Sequence, residues 1–281
     1  MKFLKKIPMA VSAISLSLAA LGNLLLPYGT ALRYLLGILS AFILCIFILK
    51  LIFDSEHVKE ELKNPIVLSI LPTSTMTVML LCTYIKPFIG SICVYIWYIA
   101  IFIHVLIMLF FIKRFILNFK LQTVFPSWLI ISAGIVVASV TSPAMENRPI
   151  GKALFYLGFI LFFITIFVII YRMIKVKTMP EPARPTIAIF TAPMSLCLAG
   201  YLSAFEEPNA LLVYIMLSLS VICYLYVLVN MIPLIRLKFY PTYAAFTFPF
   251  VISAIAFKSA NAFLVKNGYD FFLLFLRFQS G

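Results

Sequence analysis

Between short breaks marked by charge, proline or glycine, the sequence is one apolar run after another, each about as long as a helix needs to cross a bilayer. The runs lie at 7–26, 31–53, 66–85, 89–112, 126–144, 151–171, 186–205, 210–235 and 242–265. In hydrocarbon every backbone N–H and C=O must find a partner inside the protein, so a run of this length reads as a helix. The stretch from Phe271 to Phe278 is too short to cross and reads as the start of a tenth helix. The expected fold is an all-α polytopic membrane protein of ten transmembrane helices. They form five helical hairpins over about 1–60, 61–120, 121–180, 181–238 and 239–281.

Composition excludes the alternatives. Of 281 residues, 64% are hydrophobic and 11% charged, where soluble domains run at about 45–50% and 25%. No polar scaffold remains for a soluble domain, a disordered chain or a nucleic-acid-binding surface. Lys2, Lys5 and Lys6 before an apolar run resemble a signal peptide, but the rest of the chain is equally apolar, so an uncleaved first span is expected. The five cysteines (Cys45, Cys82, Cys93, Cys197, Cys223) lie inside apolar runs without a CxxC spacing and read as packing residues.

Charge orients the chain. With the N-terminus inside, sixteen of the 22 Lys and Arg fall on the cytoplasmic side and six on the outer side or at outer helix ends. That is the positive-inside bias, and it predicts a multi-pass protein of the plasma membrane with a cytoplasmic N-terminus. Counting the five acidic residues inside and the four outside, the net charge is +11 inside and +2 outside, attractive to anions at both mouths. The charged stretch from Asp54 to Lys63, with His57, reads as a solvated loop holding a turn or two of helix, and the basic run from Arg172 to Lys177 as a contact for lipid headgroups.

Odd and even runs differ. Odd-numbered runs hold twenty-two serines and threonines, even-numbered ones five: Ser40, Ser91, Thr165, Ser218 and Ser220. The odd runs also hold Pro8, Pro72, Pro126, Pro193 and Pro249, spaced 64, 54, 67 and 56 positions apart, while the even ones have only Pro233, near a helix end. A proline bends a helix and frees a carbonyl, which is tolerated in a membrane where protein or a water-filled cavity satisfies it. The simple arrangement is an inner ring of five kinked, polar helices surrounded by five apolar ones, a single transmembrane channel domain. Small hydroxyl residues also let helices approach closely, and that reading stands beside the pore.

The odd-run segments carry a family resemblance. They are Ile7-Pro8-Met9-Ala10 leading into Ser15-Leu16, Leu71-Pro72-Thr73-Ser74-Thr75-Met76, Pro126-Ser127-Trp128, Ala192-Pro193 with Cys197 and Tyr201-Leu202-Ser203, and Phe246-Thr247-Phe248-Pro249. In this order the chain, over about residues 5 to 265, resembles the tellurite-resistance and dicarboxylate transporter (TDT) family, which includes bacterial TehA and the slow-type anion channels of plant guard cells. The resemblance implies a homotrimer with one pore per protomer and a phenylalanine plug, matched here by Phe248. Family members can carry a second proline within the fifth helix, where this chain has Ile131.

At about 100° per residue, Ile252, Ile255 and Ser259 fall about 40°, 20° and 20° from Phe248 and share its stripe. An apolar ring broken by a hydroxyl suits a dewetted gate with a polar vestibule. The pore-lining candidates are Ser12, Ser15, Pro72, Thr75, Met76, Ser132, Pro193, Thr247, Pro249, Ile252, Ile255 and Ser259, around a gate at Phe248. No Asp or Glu lies inside an odd run, so hydroxyl donors and the basic mouths are expected to favour anions. Lys258, about 80° from Phe248, is the candidate anion-attracting charge, with snorkelling to the interface as the other reading.

The function expected is a channel for small monovalent anions such as chloride and nitrate. The alternative is a carrier exporting C4-dicarboxylates such as malate, or sulfite, or a tellurite-resistance transporter. A dicarboxylate carrier calls for paired cations at depth, which the odd runs lack. An enzyme is disfavoured: His104 stands alone in the fourth run, His57 sits in the charged loop, and there is no HExxH and no paired intramembrane carboxylate. No catalytic residue, metal or cofactor is expected. The expected partners are further copies of the chain, the lipid bilayer and inorganic anions, with organic acids as the alternative cargo.

Overall fold

The structure, a computed structural model, describes residues 2–268; the expected start of a tenth helix from Phe271, with Asp270 and Arg277, lies outside the described residues. Within them the spans are α1 Val11–Leu24, α2 Thr30–Phe53, α3 Pro65–Ile89, α4 Ile92–Ile116, α5 Trp128–Thr141, α6 Arg148–Lys175, α7 Glu181–Ala204, α8 Ala210–Leu234 and α9 Pro241–Lys266. Seven are long and apolar enough to cross a membrane, and α1 and α5 are the shorter two. The protein is a polytopic helical membrane protein.

Burial divides the spans into two layers. Over an apolar eighteen-residue stretch, 61%, 83% and 39% of residues are buried in α3, α7 and α9, against 28%, 28%, 22% and 28% in α2, α4, α6 and α8. Most of α1 and nearly all of α5 are buried as well. The odd helices close a ring, α1 on α3, α3 on α5, α5 on α7, α7 on α9 and α9 on α1. Each even helix lies outside, across two of them: α2 on α1 and α3, α4 on α3 and α5, α6 on α5 and α7, α8 on α7 and α9.

Every ring helix is broken or begins late. Proline lacks an N–H and clashes with the preceding turn, so the chain at Pro8 enters α1 only at Val11, through bonds spanning three residues. α3 breaks at Leu71-Pro72 between Pro65–Ile70 and Thr73–Ile89. α7 begins as the tight 3₁₀ turns of Glu181–Thr191 and becomes α-helical at Ala192–Ala204, and α9 repeats this as Pro241–Phe246 followed by Phe248–Lys266. α5 breaks without a proline: Trp128–Ala133 and Val137–Thr141 flank a 3₁₀ turn at Gly134–Val136, three residues past Ile131.

Near the breaks, hydroxyls of the ring helices add donors to backbone carbonyls three or four residues back. In α3, Ser69, Thr73, Ser74 and Thr75 each donate to the carbonyl three residues back and Thr77 to that of Thr73, all within 2.7–2.8 Å. Thr186, Thr191 and Ser195 do the same in α7, and Thr247 and Ser253 in α9. Other hydroxyls join neighbours: Ser15 and Ser40 donate to each other's carbonyls at 2.7 Å across α1 and α2, and Ser195 meets Ser253 at 3.1 Å across α7 and α9.

The charged stretch at 54–63 is mostly exposed and holds about two turns of helix, as expected, while Lys50 beside it and Arg172 in the basic run at 172–177 are buried. The segment after α2 is the helix Ser55–Glu61, but it docks inward on buried Val58. Lys50, fully buried, reaches Glu61 and the Ile7 carbonyl, each at 2.6 Å, so the segment expected to be solvated ties α2 to the approach of α1. A buried ammonium needs a counter-charge and acceptors, which explains the docking. Arg172 does not project to headgroups. It is 2% exposed and donates to the carbonyls of Val176 and Thr178, which the end of α6 leaves free.

Close approach around the α5 break depends on glycine. Val136 sits between Gly200 of α7 and Gly158 of α6, and a Cβ on Gly200 would stand 2.5 Å from Val136 Cγ1. Neither backbone can yield without opening the ring. Gly200→Ala is therefore expected to destabilise the fold by about 1–3 kcal/mol, read as a lowered thermal unfolding midpoint of the purified protein in detergent. An unchanged midpoint would show that the α5–α7 contact is slack.

Candidate functional site

The ring encloses two cavities, one above the other along its axis. Each ring helix contributes to both: Ala13 below and Ala20 above on α1, Met76 and Leu80 on α3, Ala133 and Val137 on α5, Pro193 and Leu196 on α7, Pro249 and Ile252 on α9. The first cavity, toward the ends where α3 and α9 begin, has a volume of about 40 Å³, and the second, toward the ends of α1 and α9, about 330 Å³. At about 30 Å³ per water the first holds very few waters, while the second has room for several.

Phe248 and Leu196 are the side chains common to both walls. Phe248 is the first α-helical residue after the 3₁₀ turn, with Thr247 at φ −91° and ψ −86° between the two segments. Its phenyl ring is 6% exposed and Leu196 2%. The helix behind it lies against α7, where Ser253 Oγ stands 3.1 Å from Ser195 Oγ and 3.2 Å from the Thr191 carbonyl oxygen. Two apolar side chains thus stand in the lining of both cavities.

The expected lining residues divide. Met76, Pro193 and Pro249 line the first cavity, Ile252, Ile255, Lys258 and Ser259 the second. Ser12, Ser15, Pro72, Thr75, Ser132 and Thr247 are not among the lining residues. Ser12 donates to the Met9 carbonyl and meets Thr73 at 2.7 Å; Ser15 faces α2; Pro72 forms the α3 break; Ser132 lies 3.4 Å from the carbonyls of Trp128 and Leu129; Thr247 donates to Ala244. Thr75 turns outward to His104, 2.8 Å away. Because Thr75 donates its proton to the Pro72 carbonyl, His104 Nδ1 must be the donor to it.

The hydroxyl lining expected of the passage is therefore largely committed elsewhere. The first cavity shows only Thr73, Thr186 and Thr242, and all three give their protons to backbone carbonyls. Its remaining lining is apolar, with alanines at 13, 133, 192, 244 and 245 that carry no sequence signal of their own. Leu196, Gly134 and Asn23 are further lining residues that sequence reasoning missed; of these only Asn23, an amide in the last turn of α1, stands out chemically. Among the described residues no Asp or Glu lines either cavity, and Lys258 is the single charged lining residue.

An apolar-walled axial passage with a cation at one mouth and no carboxylate suits anions. No curated protein matches the chain. Among protein families, residues 6–272 match the one described as voltage-dependent anion channel, SLAC1. That match spans all five proline segments and the ring they build, and the chain belongs to the SLAC1 family of anion channels and transporters.

Proposed function

We propose that the protein is a channel for small monovalent anions such as chloride and nitrate, with a passage along the axis of each protomer's helix ring and Phe248 as its gate. The observation that carries this reading is the position of Phe248, with Leu196, in the lining of both cavities aligned on the axis. A phenyl ring and an isobutyl group give a dehydrating anion no donor, so the constriction opposes conduction until Phe248 moves. Cation entry is opposed by the absence of carboxylates from the lining among the described residues.

The reading as a dicarboxylate carrier has less support, because two carboxylates call for paired cations and the lining offers Lys258 alone. On the channel reading the N-terminus is cytoplasmic, the sixteen-to-six distribution of Lys and Arg sets the orientation, and the membrane is the plasma membrane. The assembly is a homotrimer. Exposed apolar side chains on the even helices, such as Ile38, Phe42, Phe102 and Phe167, would face lipid or neighbouring protomers.

Phe248→Ala should raise anion conductance in planar bilayers at least about tenfold, a barrier reduction of about 1.4 kcal/mol. An unchanged current from a correctly inserted variant would remove Phe248 from the gate. In the same variant, reversal potentials should follow chloride and nitrate gradients and respond weakly to malate. A reversal potential set by malate, or fixed by a coupled counter-ion, would favour the carrier.

A further inference from the structure

The second cavity contains polar groups that the channel reading does not use. Lys258 lines it from α9 and donates to the Leu24 carbonyl at 3.2 Å, which brings its ammonium beside the last turn of α1. An ammonium has three N–H donors, so two remain for the cavity. Asn23, the residue before Leu24, lines the same cavity. Its carboxamide is oriented from behind by Arg33, an α2 residue that reaches inward between α1 and α3.

The orientation follows from donor and acceptor chemistry. Pro87 in the last turn of α3 has no N–H, which leaves the Thr83 carbonyl free, and Arg33 Nη2 donates to it at 3.0 Å. Arg33 Nε donates to Asn23 Oδ1, also at 3.0 Å, and the guanidinium lies 4.4 Å from the centre of the Tyr84 ring. Arginine only donates, so the oxygen of Asn23, and not its NH₂, is the atom fixed against it. One contact from that NH₂, to Thr83 Oγ1, stretches to 3.5 Å, and Arg33 approaches the same oxygen at the same distance. The NH₂ carries two N–H donors, so the Asn23 carboxamide, a lining residue of the second cavity, keeps one beyond the long contact to Thr83.

We infer that the second cavity holds a binding site for a monovalent inorganic anion, with the Lys258 ammonium and the Asn23 NH₂ as ligands and Arg33 as the residue that positions Asn23. Leu80, Val137, Ile252 and Ile255 form the apolar remainder of the wall, a low-dielectric surface that strengthens the two charge-assisted contacts. The choice of anion as cargo rests on the channel reading, but the site itself is a matter of equilibrium binding and does not require Phe248 to move.

The experiment is chloride binding to the purified full chain in detergent, read as excess broadening of the ³⁵Cl resonance and its titration by nitrate. Lys258→Gln, at an exposed position, and Asn23→Asp, which replaces the donor by a carboxylate, should each weaken chloride about tenfold. Arg33→Lys keeps the charge but cannot hold Asn23 and Thr83 together, so it should weaken binding as much as Arg33→Ala does. Unchanged broadening in folded Lys258→Gln and Asn23→Asp would overturn the site. Wild-type binding by Arg33→Lys would overturn the positioning role. Failure of the channel reading would appear separately, as absent current in Phe248→Ala with chloride binding intact.

Discussion

A carbonyl freed inside hydrocarbon must be given a donor, and that requirement organises this protein. Helices at the centre of the bundle are interrupted at Pro72, at Gly134–Val136, at Ala192-Pro193 and at Thr247. Each interruption would strand backbone acceptors where no water is available, at a cost of several kcal/mol per group. Serine and threonine hydroxyls near the breaks add a second donor to carbonyls such as those of Leu71, Pro72 and Ala244, beside the backbone N–H that each already accepts. The pattern explains why hydroxyls and prolines occur together on alternate helices, and why the outer helices, which run unbroken over up to 28 residues, need few of either.

Broken helices also bring small residues to the axis. Ala133, Ala192, Ala244 and Ala245 leave room around it, and the first cavity exists because those positions carry no bulk. Phe248, set on the first turn of an α-helix whose start is displaced by the preceding 3₁₀ segment, is the bulky exception. Since the hydroxyl protons serve the backbone, we assign the preference for anions to Lys258 and to the absence of carboxylates from the lining among the described residues.

Much of the fold was legible because its physics is periodic. Span length follows from bilayer thickness, and the inner ring follows from proline and hydroxyl frequency, both visible without coordinates. What a hydroxyl bonds to was not legible, because a donor to an anion and a donor to a carbonyl three residues back are the same residue at the same position. Thr75 and Ser15 show the error: their neighbours matched the expected motif, while their side chains face outer helices. Arg33 reads from the sequence only as a charge near the start of an apolar run, whereas its partners Asn23 and Thr83 are 10 and 50 residues away and meet it only in the folded ring. The stripe of Phe248, Ile252, Ile255 and Ser259 was readable from helical phase alone, and all four line the second cavity.

The central claim is that Phe248 separates two compartments of one continuous axial path. Thiol accessibility tests it directly. In a background lacking the five native cysteines, Ala13→Cys reports on the first cavity and Ala20→Cys on the second, both from the same helix. A small anionic methanethiosulfonate added to sealed, oriented vesicles should modify each from one side only, and from opposite sides. Adding Phe248→Ala should open both positions to reagent from either side. Modification of both cysteines from a single side before that change, or no gain in access after it, would contradict the account.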